Sequence, residues 1–161
     1  MRSGDVYPRL WIFGTLLFAM GLRILPLPPE WALWNPDWVL LLLIYWSITL
    51  PDRVGVGTAW LTGLFVDALT ARLLGQQALA YAVVVYFCVR FHRRFRHYPL
   101  GQQVVTVMLL LGFSLLLVLW TRSIHGEGMQ VGYWWAATTG GLVWPLLWSG
   151  CERLRRSLDL G

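Results

Sequence analysis

NPDWVLLLLIYWSITLPDRVGVGTAWLTGLFVDALTARLLGQQAL, residues 35–79, holds two apolar runs, a proline-marked corner between them, and an acid near the end of the second. The second run, Val54 to Ala71, decides the fold. Every fourth residue is Gly55, Ala59, Gly63, Asp67 and Ala71, and a helix places all five on one face. Small residues at that spacing let two helices approach closely inside a membrane, where burial away from water cannot drive association. An acid on the same stripe is costly in lipid, so it faces protein or a wet cavity. Gly55, Ala59, Gly63 and Asp67 therefore read as a packing face for a partner helix, and this helix as the organising element.

The rest of the chain fits a membrane. Of 161 residues 57% are apolar and 15% aromatic, with eleven Trp, far more apolar surface than a small soluble domain buries. The charged fraction, 13%, is about half the usual share. No polar linker, repeat or low-complexity block divides it. The expectation is one all-α integral membrane domain over residues 1–161. The net charge of +5 comes from arginine alone, since no lysine is present. These arginines lie in short connections between apolar runs, which points to lipid phosphates and proteins as partners, not nucleic acid.

In chain order the expected spans are 9–25, 38–50, 54–71, 76–91, 100–121 and 131–150. An apolar stretch after positive charge also fits a signal peptide, but Leu25-Pro26-Leu27-Pro28-Pro29 follows it instead of a small-residue cleavage site. A retained first helix is expected. The second run is about 20 Å of helix, short of the ~30 Å hydrocarbon thickness. It must tuck against neighbours or thin the bilayer. Trp31, Trp34 and Trp38 suit an interface. With both termini cytoplasmic, Arg2, Arg9, Arg53, Arg90, Arg93, Arg94, Arg96, Arg153, Arg155 and Arg156 lie inside, and Arg23, Arg72 and Arg122 outside. That bias follows the positive-inside rule and requires an even number of spans, as six is.

Few residues carry site chemistry. Arg23 and Asp67 fall at similar depth near the outer ends of their spans and are expected to pair or share a polar pocket. Arg90, Arg93, Arg94 and Arg96 make a basic cytoplasmic loop with interleaved aromatics, suited to phosphate contact or an acidic partner. His92, His97 and His125 form no metal set, and Cys88 and Cys151 no metal or paired spacing. No nucleophile elbow, phosphate loop, zinc helix or pair of in-membrane acids is found. Neither catalysis, nor a cofactor, nor a metal is expected.

An ordered set of residues now resembles the rod shape-determining protein MreD family. It comprises Pro36-Asp37-Trp38, Leu43-Ile44-Tyr45-Trp46, Leu50-Pro51-Asp52-Arg53-Val54, Gly57, Gly63, Asp67, Leu74-Gly75-Gln76-Gln77-Ala78-Leu79 and Gly141-Leu142-Val143-Trp144-Pro145, with a basic tail. Thr138-Thr139-Gly140-Gly141 departs from it, since family members often carry Asn beside the glycine. The resemblance implies a non-catalytic inner-membrane component of the wall-elongation machinery of a rod-shaped bacterium. It implies direct binding to MreC, with MreB, RodZ, RodA and its penicillin-binding transpeptidase in the wider complex. It also implies a fold like the substrate-capture subunits of energy-coupling transporters. The alternative is a subunit that binds or transports a small molecule or lipid precursor in a central cavity lined by Asp67, Arg23 and tryptophans.

Overall fold

The computed structural model describes residues 6–24, 28, 34–70, 74–124 and 134–157. Among the described residues six helices follow one another: α1 (Val6–Ile24), α2 (Trp38–Thr49), α3 (Val56–Leu69), α4 (Gln76–His97), α5 (Leu100–Ile124) and α6 (Trp134–Ser157). No strand occurs among the described residues. The helices alternate in direction, so two ends can be named. Asp37 lies at the end where α1 finishes and α2 starts, and Glu152 at the other. The helix α5 is long and apolar enough to cross a membrane by itself, while Leu10–Ile24, Trp38–Thr49 and Val56–Leu69 are apolar but shorter.

The centre of the bundle is α2, not α3. Every residue from Val39 to Thr49 is buried, with α1, α4 and α6 packed around it. A helix that is apolar on all sides must be covered on all sides, and its 12 residues are short enough for its neighbours to enclose. The expected tucking of the second run takes this form.

The helix α3 sits at the side and packs chiefly on α4. Its small-residue stripe is the seam. Ala59, Thr62, Gly63, Val66 and Asp67 are buried, and a methyl added at Gly63 would lie 2.5 Å from the backbone nitrogen of Ala78. The reading of this stripe as a face for a partner is thereby corrected. The chain's own α4 meets Gly63 and Asp67, Ala59 is buried, and Gly55 touches nothing on its Cβ side.

Two helices run further than the apolar pattern. Arg90 to His97, read as a loop, continues α4. No proline or glycine interrupts it, and arginine favours helix. It ends where Pro99 forces the residue before it out of the helical region, with Tyr98 extended at φ −73° and ψ 137°. The basic tail likewise prolongs α6 to Ser157. In α6, Pro145 leaves one helical hydrogen bond unmade. Gly140 and Gly141 just before it admit Leu111 and Met108 of α5.

Replacing Gly63 with Ala should lower the unfolding free energy of the purified protein by about 1–3 kcal/mol, because backbone, not a flexible side chain, stands in the way. Gly14→Ala, where nothing lies within 4 Å of the new carbon, should be neutral or stabilising. Thermal unfolding of both variants checks the pair.

Candidate functional site

Several buried polar side chains join one helix to another or bond to their own backbone. At the Asp37 end three helices meet on one carboxylate. Asp37 caps α2 by accepting from Leu40 N at 3.2 Å. The Arg23 guanidinium at the end of α1 lies 2.8 Å from its Oδ2. Tyr81 of α4 donates its hydroxyl to the same carboxylate, 2.8 Å from Oδ1 and 2.7 Å from Oδ2. Hydrogen bonds to a charged group contribute ~1.5–3 kcal/mol each, and breaking one strands the other partner.

The fully buried Asp67 does a different job. It accepts from Gly75 N at 2.9 Å, from Gln77 N at 3.1 Å to each oxygen, and from Ala78 N at 3.4 Å. A carboxylate on the open N–H groups of a helix start satisfies donors the helix cannot, and complements the positive end of its dipole. Gly75 makes the geometry reachable, because its φ of 106° is a backbone state that side chains disfavour. Of the expected pairing or shared polar pocket of Arg23 and Asp67, the direct pairing is corrected, while the charge of Asp67 still acts on Arg23. Arg23 pairs with Asp37, and Asp67 ties α3 to the start of α4.

Beside this lies an aromatic pair. Trp34 and Trp135 have ring centroids 5.0 Å apart, and each is 52% exposed. Thr139 of α6 donates to Trp34 O at 2.8 Å. Pro36 lies against Gly140, and Trp38 Nε1 donates to Asn35 Oδ1 at 2.8 Å.

In the middle, Trp46 Nε1 of α2 donates to Thr15 Oγ1 of α1 at 3.1 Å. At the Glu152 end, Tyr45 of α2 donates to Glu152 Oε2 of α6 at 3.3 Å. Arg155 and Arg156 lie 2.7 and 3.4 Å from Oε1. Partial burial opposes ionisation of Glu152. The hydrogen bond and charge of Arg155, then those of Arg156, outweigh it and hold the carboxyl below its ordinary range. Gln103 of α5 donates to Tyr98 O at 3.0 Å and Phe95 O at 3.4 Å. It accepts from Trp144 Nε1 of α6 at 3.3 Å, so one amide fixes the α4–α5 corner and binds α6.

Of the remaining residues singled out in the sequence, Arg90, Arg93, Arg94 and Arg96 are exposed, as is Gly57. Pro51 opens the turn between α2 and α3, where Arg53 is half-buried. Arg2, Arg72, His125 and Trp31 lie outside the described residues. Cys88 and Cys151 are free thiols, and no metal-holding group of His, Cys, Asp and Glu occurs among the described residues. Asp37 and Tyr81 were missed as site residues. A signal for Asp37 was present, an acid directly before an apolar run, as at a helix start. Tyr81 gave none.

Fold and site together define a bundle that is all-helical among the described residues and whose helices are joined by polar side chains such as Asp37, Asp67 and Gln103. The family model described as rod shape-determining protein MreD matches residues 5–154. The chain belongs to the MreD family, whose role is rod shape determination. It is 27% identical over 165 residues to the Rod shape-determining protein MreD of Haemophilus influenzae, covering 99% of each chain. No solved structure matches it.

The reassigned ion pair is testable. A double-mutant cycle of Arg23→Gln with Asp37→Asn should give a coupling of about 1–3 kcal/mol in unfolding free energy. The Arg23→Gln and Asp67→Asn cycle should give distinctly less. Asp67→Asn alone should destabilise, since a carboxamide offers one acceptor oxygen where the carboxylate offers two.

Proposed function

We propose that the chain crosses the bacterial inner membrane six times with both termini cytoplasmic, as a non-catalytic part of the rod-elongation complex. In this reading it binds MreC directly, with MreB, RodZ, RodA and its penicillin-binding transpeptidase in the wider assembly, and helps organise peptidoglycan synthesis.

The observation that carries the membrane placement is an inverted distribution of side chains. Leu17, Phe18, Phe65, Leu109, Leu142 and Leu146 stand 63–73% exposed along the helices, while Asp67, Ser47, Gln77 and Gln103 are buried. An apolar surface of this extent is unfavourable in water and suits hydrocarbon. Exposed hydroxyls bond back to their own helix, Thr106 to Gln102 O at 2.7 Å and Ser149 to Leu146 O at 2.9 Å. In lipid that is the satisfaction available to them.

An interaction role is supported over ligand capture by the same packing. Trp46, Tyr45, Leu41 and Leu43 of α2 fill the middle of the bundle with no surface exposed, and Arg23 and Asp67, the charges expected to line a cavity, hold helix ends instead. With α2 enclosed and the α3 stripe covered, the half-exposed Trp34–Trp135 pair is the surface we assign to MreC. Large aromatics on a rigid base are the side chains that dominate protein interfaces.

Two measurements test this. In a chain with Cys88 and Cys151 replaced by serine, Arg94→Cys and Arg153→Cys should label only from the cytoplasmic side. Trp34→Cys should label only from outside. Trp34→Ala combined with Trp135→Ala should reduce co-purification with MreC by roughly tenfold while leaving insertion intact, and unchanged recovery would remove that surface from the proposal.

A further inference from the structure

The two ends of the bundle differ in what their arginines do. At the Asp37 end, Arg23 is neutralised by Asp37. At the Glu152 end, Arg90, Arg93, Arg94, Arg96 and Arg153 are exposed. No acidic residue occurs between Asp67 and Glu127 in the sequence. The described acids at this end are Asp52, in the turn after α2, and Glu152, which already carries Arg155 and Arg156.

The four arginines of α4 are ordered, because the helix runs on to His97. At about 100° per residue, Arg90, Arg94 and His97 share a face with Arg93 beside them, opposite the buried Phe95. That overhang is held from below. Gln103 grips the carbonyls of Phe95 and Tyr98, and Trp144 grips Gln103. The Phe95 and Tyr98 rings meet edge to face at 5.9 Å. Phe91 is exposed within the basic turns, and Tyr86 and Phe87 are exposed one turn earlier.

We propose that this overhang, with the end of α6, is a binding surface for the headgroups of acidic phospholipids. The proposal rests on the membrane placement above. An acidic protein would need charge alone, whereas the exposed Phe91, Tyr86 and Phe87 continue the basic turns into apolar surface on one helix. That sequence of surfaces matches a headgroup layer lying over acyl chains. Arginine suits phosphate because its planar fork donates two parallel hydrogen bonds. Juxtamembrane basic clusters are drawn to anionic leaflets by the same field.

The test uses the full chain in vesicles of equal phosphatidylcholine and phosphatidylglycerol, with retained lipids counted by native mass spectrometry after release. The wild type should retain phosphatidylglycerol in roughly fivefold excess. Arg93→Gln/Arg94→Gln/Arg96→Gln should bring the ratio close to one, while Gly14→Ala, where nothing lies within 4 Å of the new carbon, should leave it unchanged. Salt in the release buffer should lower the excess for the wild type alone. Equal retention of both lipids by the wild type would overturn the proposal, as would a triple variant that keeps the excess, including one that keeps it yet loses a cytoplasmic protein partner. Insertion into pure phosphatidylcholine vesicles is scored separately by flotation. Insertion there without lipid preference defeats this proposal and leaves the membrane placement standing, whereas failure to insert defeats both.

Discussion

One carboxylate fixes the position of the central helix. From Val39 to Leu43 the α2 side chains are aliphatic all round and fully covered, so their packing gives little preference for one rotation or height over another. Asp37 supplies what the apolar face lacks. It closes the first turn of its own helix, takes the cation of α1 and accepts the hydroxyl of α4. Those contacts are directional, and they come from two sides. In its second half, Tyr45 on Glu152 and Trp46 on Thr15 tie it to α6 and α1. A helix held by polar contacts at its start and in its second half can be wrapped by neighbours whose own faces are undiscriminating.

The side helix α3 is secured by a different device. Gly63 removes a side chain where the backbone of Ala78 must pass, so the seam with α4 closes to backbone contact. Close approach gains dispersion energy but leaves sliding along the groove weakly opposed. Asp67, one turn beyond Gly63, removes that freedom by seizing the first amides of α4. Steric fit and electrostatic stop lie on the same stripe, which explains why an acid belongs among small residues there. Gly75 is the third part, since another residue would strain at its φ and shift the amide that meets Asp67.

How much of this was legible in the sequence follows from range. The close-approach role of Gly63 and the costliness of Asp67 were readable because both are properties of one helix. The partner was not readable, because small stripes look alike whether a neighbour comes from the same chain or another. Depth alone suggests that Arg23 and Asp67 pair or share a polar pocket. Depth does not separate two acids at the same end, and Asp37 had the better claim as the residue opening the very helix that α1 packs on. Arg90 to His97 read as a loop because charge was taken as the end of a span. Helix propensity and the position of Pro99 argued otherwise. Ties such as Trp144 to Gln103, 41 positions apart, leave no local trace at all.

Charge placement distinguishes the two ends of the bundle. An arginine near the apolar layer must be neutralised or must reach a polar phase. Arg23 takes the first course and so becomes structural, fixed in the joint that seats α2. The arginines of α4 take the second course by lying on helical turns beyond the apolar pattern. The same residue type therefore does opposite work at the two ends. Where a carboxylate is supplied, it locks helices together. Along α4, where no acidic residue occurs among the 59 between Asp67 and Glu127, the exposed arginines leave positive charge on the surface of the bundle.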